Sequence, residues 1–138
     1  MSNCTVVITT YNRPAYLKRI LDYYKTNGVG LEFIILDSSS AENQVSNQKT
    51  VDFYNSQEGV KFVRYSYVES TNPWIKWSNG MSEVKTEYCV LCAEDDFIVP
   101  RAIKASVEFL ENNPDFPVAH GKYISFHVQD RNSPFQKF

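Results

Sequence analysis

The chain has no surplus of basic charge: 14 Lys and Arg stand against 16 Asp and Glu, a formal net charge of -2. A nucleic-acid surface needs a basic footprint, so nucleic acid is not an expected partner. Long apolar runs are missing as well. None approaches a membrane span, and Met1-Ser2-Asn3-Cys4 lacks the basic-then-apolar pattern of a secretory signal. The expected compartment is cytoplasmic, with no membrane segment, and the Asn3-Cys4-Thr5 sequon is expected to be idle. Cysteine is scarce, with three residues and no framework. Cys89 and Cys92 form a C-x-x-C, but positions three apart on a strand face opposite sides, so their sulfurs should share neither a metal nor a bridge. Redox pairs of this spacing usually start a helix. Both cysteines are therefore expected in the core. What remains is an ordinary composition, 43% hydrophobic over 138 residues, enough for a single domain at 1–138 with a real core.

Short apolar runs alternate with helical patterns. Thr5-Val6-Val7-Ile8 is β-branched and reads as a first strand, ending in Thr9-Thr10-Tyr11-Asn12-Arg13-Pro14. Pro14 suits a first helical turn with Asn12 as its cap. Leu17, Ile20, Leu21 and Tyr24 follow as an amphipathic stripe, and Asn27-Gly28 stops it. Phe33 to Leu36 is a second strand ending in Asp37-Ser38-Ser39-Ser40. Val51 and Tyr54 support a weak helix in the polar segment after it. Val60 to Tyr65 reads as a third strand, with Val60, Phe62 and Arg64 on one face. Pro73 opens a helix whose stripe is Trp74, Trp77, Met81 and Val84. Tyr88 to Leu91 is the fourth strand. Pro100 precedes a helix with Ile103, Val107 and Leu110 on its apolar side, closed by Asn112-Asn113-Pro114. Tyr123 to Val128 alternates as a fifth strand.

Val6, Ile34, Phe62 and Val90 each lie 28 residues after the last, with no matching sequence repeat. The interval is the size of a βα unit. The expected fold class is therefore α/β, a three-layer α/β/α Rossmann-like arrangement with a mainly parallel sheet. Right-handed crossovers gather the strand ends on one edge, where open α/β sheets bind ligands.

The fourth strand delivers Glu94-Asp95-Asp96 to that edge. Three adjacent carboxylates repel one another and ionise fully only beside a cation, donors or open water. A hard divalent cation with a phosphate suits them. A nucleotide diphosphate needs a base reader, a ribose reader and a cation. Asp37 can accept from a uracil-like N–H, Thr9 and Tyr11 can meet base or phosphate, Asp95 can take ribose hydroxyls, and Asp96 can hold the metal. A plain structural role exists for each: Thr9 and Thr10 terminate a strand, Asp37 to Ser40 make a turn and helix cap, and the acidic triplet makes a solvated turn.

These segments resemble family 2 glycosyltransferases. Val7-Ile8-Thr9-Thr10-Tyr11-Asn12-Arg13-Pro14 is similar to the family's I-I-P-T-Y-N-R opening, and Phe33 to Ser40 to its I-I-V-V-D-D-G-S. Gly80 to Tyr88 resembles the G-I-x-x-A-x-G-E-Y that leads into the acidic strand, and Glu94-Asp95-Asp96 with Pro100 the D-x-D-type metal motif. The resemblance implies a GT-A nucleotide-diphospho-sugar transferase fold. It implies a nucleotide diphosphate sugar donor, expected to be a UDP-sugar, with Mn2+ or Mg2+ on the diphosphate. The implied nucleotide-binding set is Thr9, Tyr11, Asp37, Ser38, Lys76 and Asp95, with Asp96 and Glu94 at the metal.

The chain departs from the family in places. Ser38 replaces the second Asp of D-D, leaving Asp37 to read the base. Ala93 replaces the first Asp of D-x-D, which moves the metal role to Asp96. Lys76-Trp77-Ser78 replaces the usual A-R-N, so Lys76 is expected to supply the missing arginine's charge to a phosphate. Only 42 residues follow Asp96, which predicts a chain truncated after the donor-binding half, without the acceptor half and its base. His120, His127 and Asp130 qualify as bases by chemistry only. The acceptor, a sugar, lipid or protein, is not specified. The competing reading is a non-catalytic nucleotide-sugar or partner-binding module of the same fold. A more distant one is a flavodoxin-like signalling domain, which wants an acidic pair where Thr9 and Thr10 stand.

Overall fold

A computed structural model describes residues 3–125. The four apolar runs become β1 (Cys4–Thr10), β2 (Glu32–Asp37), β3 (Val63–Ser66) and β4 (Tyr88–Ala93). Between and after them lie α1 (Pro14–Asn27), α2 (Ala41–Asn55), α3 (Pro73–Met81) and α4 (Pro100–Asn112). The strands pair in the order β3-β2-β1-β4, every pair parallel. The architecture is thus the expected α/β/α one.

Alternation along the strands separates two cores. Val6 and Ile8, Phe33 and Ile35, and Cys92 face α1, α2 and α4, where they meet Leu17, Ile20, Leu21, Tyr24, Val51, Tyr54 and Ile103. The opposite face presents Val7, Ile34 and Leu36 to the α3 side, with Trp77, Val84 and Cys89 packed against them. Cys89 and Cys92 therefore do lie on opposite faces, as strand geometry requires. Each fully buried Leu or Ile is worth about 1.5–3 kcal/mol of transfer free energy, and the two clusters fix the helices on the sheet.

Two glycines permit close approaches. A Cβ at Gly28, which ends α1, would stand 2.6 Å from the Phe33 ring. A Cβ at Gly80 would run into the Leu36 side chain, on which α3 sits.

Four local expectations are corrected. The third strand begins at Val63, not Val60. Val60 and Phe62 are buried all the same, but the Asn55 side chain holds the Phe62 backbone, donating to its carbonyl at 2.8 Å and accepting from its N–H at 2.9 Å. Those groups are thus taken from the ladder. Along α3 the buried residues are Lys76 and Gly80. Trp74 is 73% exposed and Met81 half-exposed, because the small Gly80 decides which side rests on the sheet. Asn12 does not cap α1. It adopts φ 53° and accepts from Ser40 N–H and Asn43 Nδ2 instead, tying the β1 end to the start of α2. Of the expected fifth strand, residues 123–125 are not in a strand, with Tyr123 and Ile124 exposed. Its remainder, with Phe126 and Val128, lies outside the described residues.

Candidate functional site

Parallel register brings the strand ends to one edge: Thr10 pairs with Asp37, Thr9 with Ala93, and Asp37 with Ser66. Thr9, Tyr11, Asp37, Ser38 and the acidic triplet thus share the edge expected of them. They divide into a buried group under the β1 and β2 ends and an open group after β4.

Asp37 is 0% exposed. Its Oδ2 accepts from Arg64 Nη1 at 2.8 Å and Asn47 Nδ2 at 2.9 Å, and its Oδ1 from Ser39 N–H at 2.9 Å. Arg64 is the register partner of Ile35 and so lies on the same sheet face as Asp37. Its Nε also donates to Gln48 Oε1 at 2.8 Å. Asp37, expected to read a base, thus faces protein donors in this structure. The carboxylate is enclosed, and its donors come from the protein, joining β2, β3 and α2.

Ser38 is buried. Its N–H donates to Thr10 O at 3.3 Å, and its carbonyl accepts from Ser70 N–H at 3.0 Å. Ser70, at φ 61°, also shares a 2.8 Å hydrogen bond with the hydroxyl of half-exposed Tyr11. The connection from β3 to α3 therefore lies across the strand ends and is latched to Tyr11.

Lys76 does not present its charge to the crevice. It is 2% exposed, and its ammonium donates to Thr10 O at 2.9 Å and Leu36 O at 3.4 Å. Burial lowers its pKa, against the opposing pull of Glu94 and Asp37. In place of a phosphate contact, it cross-links the carbonyls at two strand ends.

The triplet is unequal. Glu94 is 7% exposed, and burial raises its pKa despite hydrogen bonds from its own and the Tyr11 backbone and the nearby Arg13. Expected beside Asp96 at a metal, it has a side chain only 10% exposed. Asp95 is exposed and accepts from Arg13 Nη1 at 2.9 Å, while its carbonyl accepts from Arg19 Nη2 at 3.2 Å. Asp96 is exposed, its N–H donates to Ala93 O at 3.1 Å, and its carboxylate has no partner among the described residues. Among those residues no three His, Cys, Asp or Glu side chains cluster as metal ligands. His120 is exposed, and His127 and Asp130 lie outside the described residues.

The sequence did not reveal the contacts that Arg13, Arg64 and Asn47 make with the acidic residues of this edge. Arg64 sits two residues before the β3 end, a position that reaches Asp37 once the strands are parallel. Arg13 follows β1 by three residues, next to whatever ends β4. Pairwise strand order was the missing signal in both cases.

A model of the family described as glycosyl transferase family 2 matches residues 5–134. No curated protein matches the chain. Among solved structures, the chain is similar to residues 1–349 of S. aureus TarS, with 19% identity, TM-score 0.61, and coverage of 83% of this chain and 33% of that one. That fragment is also solved with UDP and with UDP-GlcNAc. The mannosyltransferase PcManGT from Pyrobaculum calidifontis, in complex with GDP-Man and Mn2+, is similar at 17% identity and TM-score 0.63, with coverage of 78% of this chain and 32% of that one. The chain thus spans about a third of the length of these solved structures, and their likeness establishes the GT-A fold. Among the described residues, no helix is long and apolar enough to cross a membrane.

Proposed function

This chain belongs to glycosyl transferase family 2, and on that premise we propose that it is the donor-binding part of a transferase that takes a nucleotide diphosphate sugar with Mn2+ or Mg2+. The observation that carries the reading is the open Asp96 carboxylate at the edge where the β1, β2 and β4 ends meet. The donor set fits a hard cation shared with a diphosphate. Asp96 would hold it, and since no further carboxylate cluster is present among the described residues, phosphate oxygens would complete its shell. When bound, the cation neutralises charge on the departing diphosphate.

The chain's own residues bind and orient. Exposed Asp95 accepts ribose hydroxyls. Thr9 and Tyr11 contact the base or a phosphate, and Ser38 lies beneath them. Asp37 and Lys76 act one layer down, holding the strand ends that present these groups. UDP and UDP-GlcNAc with TarS, and GDP-Man with PcManGT, support a nucleotide sugar here. We take a UDP-sugar as the donor and leave the acceptor unassigned. Donor binding needs only the described strand ends. Efficient transfer also needs an acceptor held in line with the sugar carbon, worth about 7–11 kcal/mol in well-oriented systems.

The test is calorimetric titration of UDP, GDP, ADP and CDP into the chain with and without Mn2+. Binding of UDP strengthened by Mn2+ is expected. Preference for GDP would reassign the base, and failure of all four to bind in both conditions would overturn the reading.

A further inference from the structure

Arg13 stands where the acidic triplet needs a positive charge. Its Nη1 pairs with Asp95 Oδ2 at 2.9 Å and its Nε lies 3.9 Å from Glu94 Oε1. Its side chain is 51% exposed, so the pair is open to solvent and exchangeable. The neighbouring arginine is differently engaged. Arg19 lies over the Tyr16 and Phe97 rings at 4.6 and 4.9 Å and donates to the Asp95 carbonyl, fixing the backbone of the acidic loop. Among the described residues Arg13 alone forms ion pairs with the triplet, and it leaves one of the three, Asp96, without a partner.

Resting on the proposed donor and metal site, we propose that Arg13 enforces the order of binding. By engaging Asp95 and crowding Glu94, it reduces the protein's metal donors to one carboxylate. A hard divalent cation takes about six oxygens and keeps several of them as water, so with a single protein carboxylate it binds weakly until a nucleotide diphosphate adds its oxygens. Arg13 is thus a positioning residue that makes metal binding depend on the nucleotide and guards the site against bare cations. Its charge would repel a cation held on Asp96, the residue next to its partner Asp95. At a separation of about 6 Å in a near-water dielectric, removing one positive charge would strengthen divalent binding by about tenfold. Freeing Asp95 as a second ligand adds to that.

The experiment follows free Mn2+ by electron paramagnetic resonance, titrating MnCl2 alone into the whole chain at fixed ionic strength, then repeating with UDP. Arg13→Met is expected to bind bare Mn2+ about tenfold more tightly than the parent, and to lose a similar factor of its stimulation by UDP. Arg13→Lys, which keeps the charge, should behave as the parent. Arg13→Gln repeats the titration if the Met variant loses its helical circular dichroism. A gain in bare Mn2+ affinity supports the inference even where UDP fails to bind, an outcome that would instead remove the proposed function. Unchanged bare Mn2+ affinity in the neutral variants overturns the inference, while UDP-dependent Mn2+ uptake by the parent would leave the proposed function standing.

Discussion

Asp37→Asn should lower stability more than it alters nucleotide preference. The Asp37 side chain is fully enclosed, and Arg64 is 9% exposed in the ion pair at 2.8 Å. Removing one member strands the other charge in a poorly solvated place, which costs about 3–5 kcal/mol. Arg64→Met should cost a similar amount, since Asn47 and Ser39 still donate to Asp37 but its one direct ion pair among the described residues is gone. A domain of this size has about 5–15 kcal/mol in total, so either change removes a large share. The double variant Asp37→Asn with Arg64→Met should cost less than the sum of the singles, with a coupling of about 2 kcal/mol or more. Urea denaturation followed by tryptophan fluorescence reads this through the midpoint at constant slope, Trp74 and Trp77 both lying on α3. Single variants within about 1 kcal/mol of the parent, or singles that simply add, would refute the claim that the pair is desolvated. A changed base preference at unchanged stability would return Asp37 to the crevice.

Two further outcomes test other parts of the edge. Burial raises the Glu94 pKa above its usual 4.5, so the folded state holds the extra proton between those values, and stability falls as pH rises through that window. Glu94→Gln should therefore gain on the parent in thermal melts at pH 7 and lose that gain near pH 4; a difference independent of pH would contradict the assignment. Gly80→Ala should lower the urea midpoint, although alanine favours a helix by about 1 kcal/mol, because the new methyl meets fully buried Leu36 and overpacking costs about 1–3 kcal/mol. Leu36→Val in the same chain should recover part of the loss, and a neutral or stabilising Gly80→Ala would show that α3 yields.

The strand-and-helix alternation was legible because β1, β2 and β4 are short apolar runs and α1 carries a clean stripe of Leu17, Ile20, Leu21 and Tyr24, all fully buried. The α2 stripe is half hidden, since buried Asn47 shares it with Val51 and Tyr54, and an amide held by Asp37 has no apolar signature. Of the expected α3 stripe, Trp77 and Val84 pack against the sheet while Trp74 and Met81 do not. What seats that helix is an absence of side chain at Gly80 and a lysine whose charge ends on two carbonyls. At the site, residue type identified the right edge but not depth. Asp37 and Asp96 are the same residue type and both lie at strand ends on one sheet edge, those of β2 and β4, yet one is enclosed by Arg64, Asn47 and a backbone N–H while the other stands open. The parallel pairing of β3 with β2 supplies Arg64, and that pairing is a long-range fact.

The central claim is that the open carboxylate of Asp96 joins a divalent cation to a nucleotide diphosphate. It is tested most directly by calorimetric titration of UDP into the parent and Asp96→Ala, each with and without Mn2+. An exposed side chain without partners contributes little to stability, so the variant should melt as the parent does. The account predicts that Mn2+ strengthens UDP binding by the parent and has no such effect on the variant. Equal Mn2+ enhancement in both proteins would contradict it.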